Sequence, residues 1–169
     1  MSKPFSVNIN RFDPYKISAF LVYLGDSISP LQGVTKVSGL RVTSTPILYF
    51  EGGNPMALVG IGRSKYEPIT IERGLTHDKD LEDWANAARV LIKGSPSRSL
   101  KRLRKTLRIV LQNEEGQPVH QYIVHRCWVS EYQALPDLDA SKYAVAIEYI
   151  KLEHEGWEHD LSLTEPEET

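Results

Sequence analysis

Only one stretch of this chain repeats its apolar residues at helical spacing. After Asp78, a good N-cap, come Leu81, Trp84, Ala85, Ala88 and Leu91, with Gly94 just past the predicted end. Acidic Asp78, Asp80, Glu82 and Asp83 stand near its start and basic Arg89 and Lys93 near its finish, as the helix dipole favours. On either side the pattern is that of strands. An order of three strands, one helix and three strands offers no alternating βα units. It predicts a mainly β fold with one flanking α-helix, an antiparallel β-sandwich or barrel.

The strand signals are local. KISAFLVYL (Lys16 to Leu24) is rich in β-branched and aromatic residues and stops at Gly25-Asp26, predicting a strand of about nine residues. Val34 to Thr45 reads as extended. Pro68 to Arg73 alternates Ile69 and Ile71 inward with Thr70 and Glu72 outward. Leu107, Ile109 and Leu111 alternate with polar neighbours, then Asn113-Glu-Glu-Gly116 turns into Val119 to Tyr132, a predicted hairpin. Ala144 to His154 reads as the last long strand, apolar on both faces at Val145, Ile147, Tyr149 and Ile150, so each face needs a cover.

With 169 residues, 41% apolar and 25% charged, the chain has the makeup of one soluble globular domain, which excludes disordered, collagenous and disulfide-stapled classes. Residues 1–160 are read as that domain and 161–169 as an acidic, disordered tail. The net charge of -2 attracts neither nucleic acid nor anionic membrane globally. All 20 Lys and Arg stand in residues 1–151 beside 15 of the 22 acids, so the end is acidic and the rest mildly basic. No run approaches ~18 apolar residues, predicting no membrane anchor. MSKPFSVNINRF has too short an apolar run for a signal peptide, and synthesis in the cytoplasm is expected.

Candidates for chemistry are few. The five histidines (His77, His120, His125, His154, His159) show no metal-site spacing, and Cys127 has no second cysteine beside it. His125 and Cys127 share strand parity, yet a Cys-His nucleophile also needs an activated thiolate and an oxyanion hole, so buried packing is the reading for Cys127. The glycines of EGGNPMALVGIGRSKYEP carry no phosphate-loop motif and read as a flexible loop or hairpin arm. PDLDA (Pro136 to Ala140) could pair two carboxylates for acid/base work, but turn chemistry accounts for it. The basic run RSLKRLRKTLR, Arg98 to Arg108, has enough cations for a phosphate-contacting patch but no interleaved aromatics for stacking on single strands. A small nucleic-acid-binding β-domain using segment 98–108 is therefore the alternative reading. No catalytic residue, metal site or cofactor is predicted.

Three stretches carry a resemblance: KVSGLRVTSTPILYFEGGNP (Lys36 to Pro55), GRSKYEPITIERGLTHDKDLEDWAN (Gly62 to Asn86) and RCWVSEYQALPDLDASKYAVAIEYIKLEHEGWEHD (Arg126 to Asp160). Their order and spacing resemble the tail tube proteins of contractile-tailed phages, and more closely the tube proteins of extracellular contractile injection systems. The resemblance implies a structural protein without an active site. It implies a β-sandwich or barrel with one flanking helix, six copies closing into a ring, and rings stacking into a hollow tube inside a sheath. It implies sheath, baseplate or spike hub and other tube proteins as partners, with cargo or DNA passing down the lumen. The repeating tube subunit and a specialised layer next to the baseplate both remain open.

Glu51 to Arg63 is similar to the long loop by which such subunits reach their neighbours. Its apolar patch, Met56 to Ile61, contributes little to a protomer core and needs a partner. The subunit-interface candidates are Gly52, Gly53, Met56, Leu58, Val59, Ile61 and Arg63. The basic linker from Lys93 to Lys105 and the C-terminal tail depart from the family pattern, and no role is carried over to either.

Overall fold

A computed structural model describes residues 14–53, 55–92, 103–164 and 166. The chain's start, Gly94, Arg98 to Arg102 of the basic run and residues 165 and 167–169 of the acidic end lie outside the described residues. The elements follow the order β1 (Phe20–Leu24), β2 (Val34–Val37), β3 (Val42–Tyr49), β4 (Leu58–Tyr66), β5 (Ile69–Gly74), α1 (Asp80–Ile92), β6 (Lys105–Gln112), β7 (Pro118–Gln133), β8 (Ile147–Glu153) and β9 (Trp157–Asp160). All pairings are antiparallel. The main sheet runs β1-β6-β7-β8-β5-β2, with β9 also on β7, while β3 and β4 form a separate two-stranded hairpin. β1 and β2 end the path unpaired with each other, so the sheet curls round its core without closing and the barrel half of the expectation is not met.

One long strand makes the curl. The first half of β7 pairs with β6 and β9, and its second half pairs with β8. Between the halves, Arg126 takes φ 54°, and the β6 register slips by one residue between Lys105↔Cys127 and Leu107↔Val124. A bulge of this kind bends a strand and increases its twist. The companion chain bends with it at Gly156, whose φ is +139°. The two bends are bonded, His125 N–H to Gly156 O at 2.9 Å and Glu155 N–H to His125 O at 3.1 Å.

The alternation expected of β5 holds, with Ile69 and Ile71 wholly buried. They meet Leu107, Val124, Ile150 and Leu152 in one core, on which the helix lays Leu81, Trp84 and Ala85. Trp84, 2% exposed, satisfies its ring N–H with the Leu103 carbonyl at 2.7 Å. Asp78 acts near the N-cap as expected, its Oδ1 accepting the Asp80 N–H at 3.0 Å.

Parity also carries Arg73 into the core, where it lies opposite Glu148 of β8. Arg73 is 0% exposed and Glu148 2%. The Arg73 Nε–H donates to Glu148 Oε1, its other nitrogens donate to Asp78 Oδ2 at 3.1 Å and to the Asp78 carbonyl at 2.6 Å, and Tyr132 Oη–H donates to Glu148 Oε2 at 2.9 Å. Burial and the Glu148 carboxylate push the Tyr132 hydroxyl up to about 12. This network ties β5, β7 and β8 to the start of the helix.

Three strand expectations shift. β1 is five residues, because Ile17 and Ser18 turn away from the sheet and leave Ile17 exposed. Val34 to Thr45 splits in two: Ser38 closes its bonds to Thr70, N–H to O at 2.9 Å and Oγ to N–H at 2.8 Å, and the chain then leaves the sheet. On β8, Glu148, Ile150 and Leu152 are buried, whereas Ile147 and Tyr149 are half-covered and Val145, ahead of the strand, is exposed. The second face therefore lacks a full cover within the protomer.

Candidate assembly surface

The glycine-rich segment that reads as a loop or arm is one strand of a hairpin. All eight residues of β3 are exposed, as are most of β4. Over eight residues a strand extends about 27 Å, so the hairpin is a long arm. Gly52 and Gly53 form its tip, Gly53 in the left-handed region at φ +88° that glycine adopts without strain.

Register assigns the faces. In the outer half, Pro46 lies opposite Ile61 and Leu48 opposite Val59, placing these four on one face. Ile47 lies opposite Gly60 and Tyr49 opposite Leu58, on the other. The ring of Tyr49 packs over Gly60. Between Ser44 and Pro46 the register slips by one residue on β4, at Gly62. A side chain at Gly62 would overlap the Thr45 carbonyl oxygen, so this bulge requires glycine.

The predicted interface residues all lie on the arm, although they do not share a face. Val59 (69% exposed) and Ile61 (91%) lie together, Leu58 faces the opposite side, Met56 is exposed beyond the tip, and Arg63 is exposed beside the bulge. Sequence reasoning missed the partner strand, where Ile47, Leu48, Tyr49 and Phe50 are each more than half exposed. The run ILYF directly before the Glu51-Gly-Gly turn was the available signal.

Among the arm's exposed large side chains the aromatic ones carry ~150–250 Å² each and the aliphatic ones somewhat less. Seven of them, half to nine-tenths exposed, present on the order of 1,000 Å², beyond the few hundred Å² patch that a monomer ordinarily shows. A two-stranded hairpin is at best marginal alone in water. The base of the arm is better held. Tyr66 lies against Gly156 and the His154 ring, Thr43 Oγ1 bonds Glu67 Oε1 at 2.9 Å, and His154 Nε2 bonds the Glu67 carbonyl at 2.9 Å.

A second apolar feature lies at the unclosed seam between β1 and β2. Phe20, Leu40, Ile109, Leu111, Tyr122 and Trp157 line a groove there. Trp157 Nε1–H is shielded from water yet has no acceptor among the described residues. At its rim the rings of His120 and His159 share a hydrogen bond of 3.0 Å, and His159 stacks on Tyr122. The pair His125 and Cys127 is not brought together, because the Arg126 bulge breaks the parity between them. His125 pairs outward with Glu158 at 3.3 Å, while Cys127 is wholly buried and its thiol is pushed up to about 12 by burial.

Asp139 of PDLDA accepts the Ser141 N–H at 3.0 Å and hydroxyl at 2.6 Å, which holds its carboxyl below the usual range. Of the basic run, the described residues Arg104, Lys105 and Arg108 are engaged internally. Arg104 pairs with Glu155, Lys105 stands 5.4 Å over the Trp84 ring, and Arg108 lies 4.9 Å over Tyr23 while donating to Ser27 O at 2.9 Å. Among the described residues no three His, Cys, Asp or Glu side chains group as a metal site, and no helix is long and apolar enough to cross a membrane.

A curled β-body that projects a bare apolar arm has the build of a structural subunit whose surface is completed by other chains. The family model described as T4-like virus tail tube protein gp19 matches residues 5–158, and the chain belongs to that family of structural tube proteins. It is similar to a chain of an extracellular contractile injection system, the PVC sheath-tube complex in its extended state. The TM-score is 0.72 at 21% identity, over 94% of this chain and 99% of that one. A chain of the anti-feeding prophage baseplate, six-fold symmetrised, gives 0.69 at 24% identity, over 89% and 99%. A chain of the anti-feeding prophage cap, which terminates that tube, gives 0.71 at 22%, over 90% and 95%. These likenesses establish a shared fold. No curated protein matches the sequence.

Proposed function

We propose that this protein builds the inner tube of a contractile injection particle: six copies close into a ring, rings stack into a hollow tube, and the β3–β4 arm joins each protomer to a neighbour. The single observation behind this reading is the arm, apolar on both faces and bare on both. Burying even 300 Å² of it on another copy contributes about 7 kcal/mol before ordering costs, enough to decide assembly. The arm is already paired along its length, which lowers the ordering cost below that of a loose loop. Gly52, Gly53, Met56, Leu58, Val59, Ile61 and Arg63 are its contact residues, joined by Ile47, Leu48, Tyr49 and Phe50. Sheath, baseplate hub and other tube proteins are the expected partners in an assembled particle, as the complexes holding its structural relatives suggest. The role is structural rather than catalytic.

The test replaces Pro46 to Ile61 with a tight turn. Circular dichroism close to wild type with loss of rings and tubes in negative-stain microscopy supports the reading. Normal tubes from the shortened protein refute it, as does a wild-type protein that stays monomeric at high concentration and in native particles.

A further inference from the structure

Resting on that reading, we infer a proton-sensitive latch at the root of the arm: the His154 imidazole holds the hairpin to the body while it is neutral and releases it when protonated. The ring stands between two backbone groups of opposite kind. Its Nε2 lies 2.9 Å from the Glu67 carbonyl oxygen, and its Nδ1 lies 3.2 Å from the Gly156 N–H. A carbonyl only accepts and an amide only donates, so the ring carries its proton on Nε2 and leaves Nδ1 bare. Only the neutral ring makes both bonds. A second proton goes onto Nδ1 and sets one N–H against another. The Gly156 amide, which is buried, then loses its acceptor in the ring.

What the two bonds join makes the ring a latch. Glu67 ties the base of the arm together: its N–H donates to the Arg41 carbonyl at 3.0 Å, its Oε1 accepts the Thr43 hydroxyl at 2.9 Å, and Arg41 stands 3.6 Å from its Oε2. Gly156 is the bend between β8 and β9, its carbonyl accepting the His125 N–H at 2.9 Å. One imidazole therefore connects the arm's base to the corner of the body, with the Tyr66 ring tilted against it at 5.6 Å between ring centres. The charged groups around this corner are engaged elsewhere. Glu67 pairs with Arg41, Glu155 takes both Arg104 and Arg126, His125 pairs with Glu158, and Glu153 lies across from Trp128. Nδ1 itself faces the Gly156 amide. Imidazole is the side chain whose charge ordinarily changes between about pH 5 and 8, so acid across that window opens the latch. The arm then keeps its own strand pairing and loses its fixed attachment.

The experiment compares the full chain at about pH 8 and about pH 5 in three forms. His154→Asn puts an amide oxygen where Nδ1 stands, accepts the Gly156 N–H and does not titrate; it gives up the bond to Glu67, so its own values at the higher pH are its reference. His154→Lys carries donors and no acceptor. Two quantities are read: protection of the Gly156 amide against hydrogen exchange in the unassembled protein, corrected for the intrinsic effect of pH, and the concentration needed for tube growth. Acid should lower wild-type protection about tenfold and raise the required concentration about tenfold, the factor that one buried hydrogen bond carries, while His154→Asn changes less than about twofold in either. His154→Lys should behave at the higher pH as wild type does at the lower. An acid response in His154→Asn equal to that of wild type puts the sensor on another group, such as the His120–His159 pair, and overturns the latch. So does Gly156 protection that acid leaves unchanged in wild type, or a neutral ring shown by nitrogen NMR to carry its proton on Nδ1. Protection lost in acid with tube growth unchanged leaves the latch standing and overturns the arm's part in assembly.

Discussion

Neutralising Glu148 should cost this fold far more than an ordinary polar substitution. Arg73 is wholly buried, and it faces one buried carboxylate, Glu148, and one partly exposed carboxylate, Asp78. Removing one partner of a buried ion pair typically costs ~3–5 kcal/mol, because the remaining charge is left in a medium that solvates it poorly. Glu148→Gln keeps the shape and leaves Arg73 with Asp78, so the loss belongs at the low end, about 3 kcal/mol. Arg73→Met leaves the Glu148 carboxylate with only the Tyr132 hydroxyl and belongs at the high end, about 5 kcal/mol. For a chain of this length the first corresponds to a fall of roughly 6–12 °C in Tm. Arg73→Met/Glu148→Leu removes both charges and should return to within ~1–2 kcal/mol of wild type. Urea unfolding, followed by circular dichroism and tryptophan fluorescence at low protein concentration, measures wild type and all three variants. If Glu148→Gln lies within 1 kcal/mol of wild type, or the double variant is no more stable than Arg73→Met alone, the four groups do not act as a coupled buried unit.

Trp84→Ala should lose ~3–5 kcal/mol through burial and cavity terms, and Trp84→Phe about 1–2 kcal/mol through the orphaned Leu103 carbonyl; wild-type thermal stability in the alanine variant would contradict the helix packing. Cys127 should resist thiol reagents in the folded protein and react at once in urea. Its folded thiol titrates near 12 rather than the ordinary 9.0, so its contribution is fully present below pH 9 and lost as pH rises towards 12; Cys127→Ala should flatten that part of the stability profile measured by urea titration. Gly62→Ala should leave the body's Tm within about 1–2 °C of wild type yet abolish tube growth, because the added methyl has no room beside the Thr45 carbonyl; tubes of normal length by microscopy would show that the bulge is dispensable.

What was legible in the sequence was whatever is decided by neighbours along the chain. The helix announced itself because cap, periodicity and charge order coincide within fifteen or so residues of Asp78. The β6–β7 hairpin showed through its Asn113 to Gly116 turn, where Gly116 takes φ +80°. β9 was missed because only four residues follow the bend at Gly156. The outer half of β3, beyond Thr45, escaped because its apolar residues occupy both faces, which defeats an alternation rule that assumes one wet face. Strand parity points Arg73 inward, but the carboxylate that balances its buried charge lies 75 residues away, and no local pattern carries that. The arm's role was half visible: a glycine-rich strand resembles a loop until its partner strand is known.

The attachment of the arm sets where small changes have large effects. Tyr66 rests on Gly156 and on the His154 ring, at the bend the body makes between β8 and β9. From there the hairpin extends about 25 Å with little to hold it sideways, so a rotation of about 10° at the root carries the tip about 4 Å, close to one strand spacing. The hairpin thus works as a pointer, with its bearing at the corner of the body and its reading taken at the tip. Fine differences in how closely that ring sits on that glycine are enlarged into different headings, and a short stretch of backbone around residues 154–156 governs the direction in which an otherwise uniform rod is aimed.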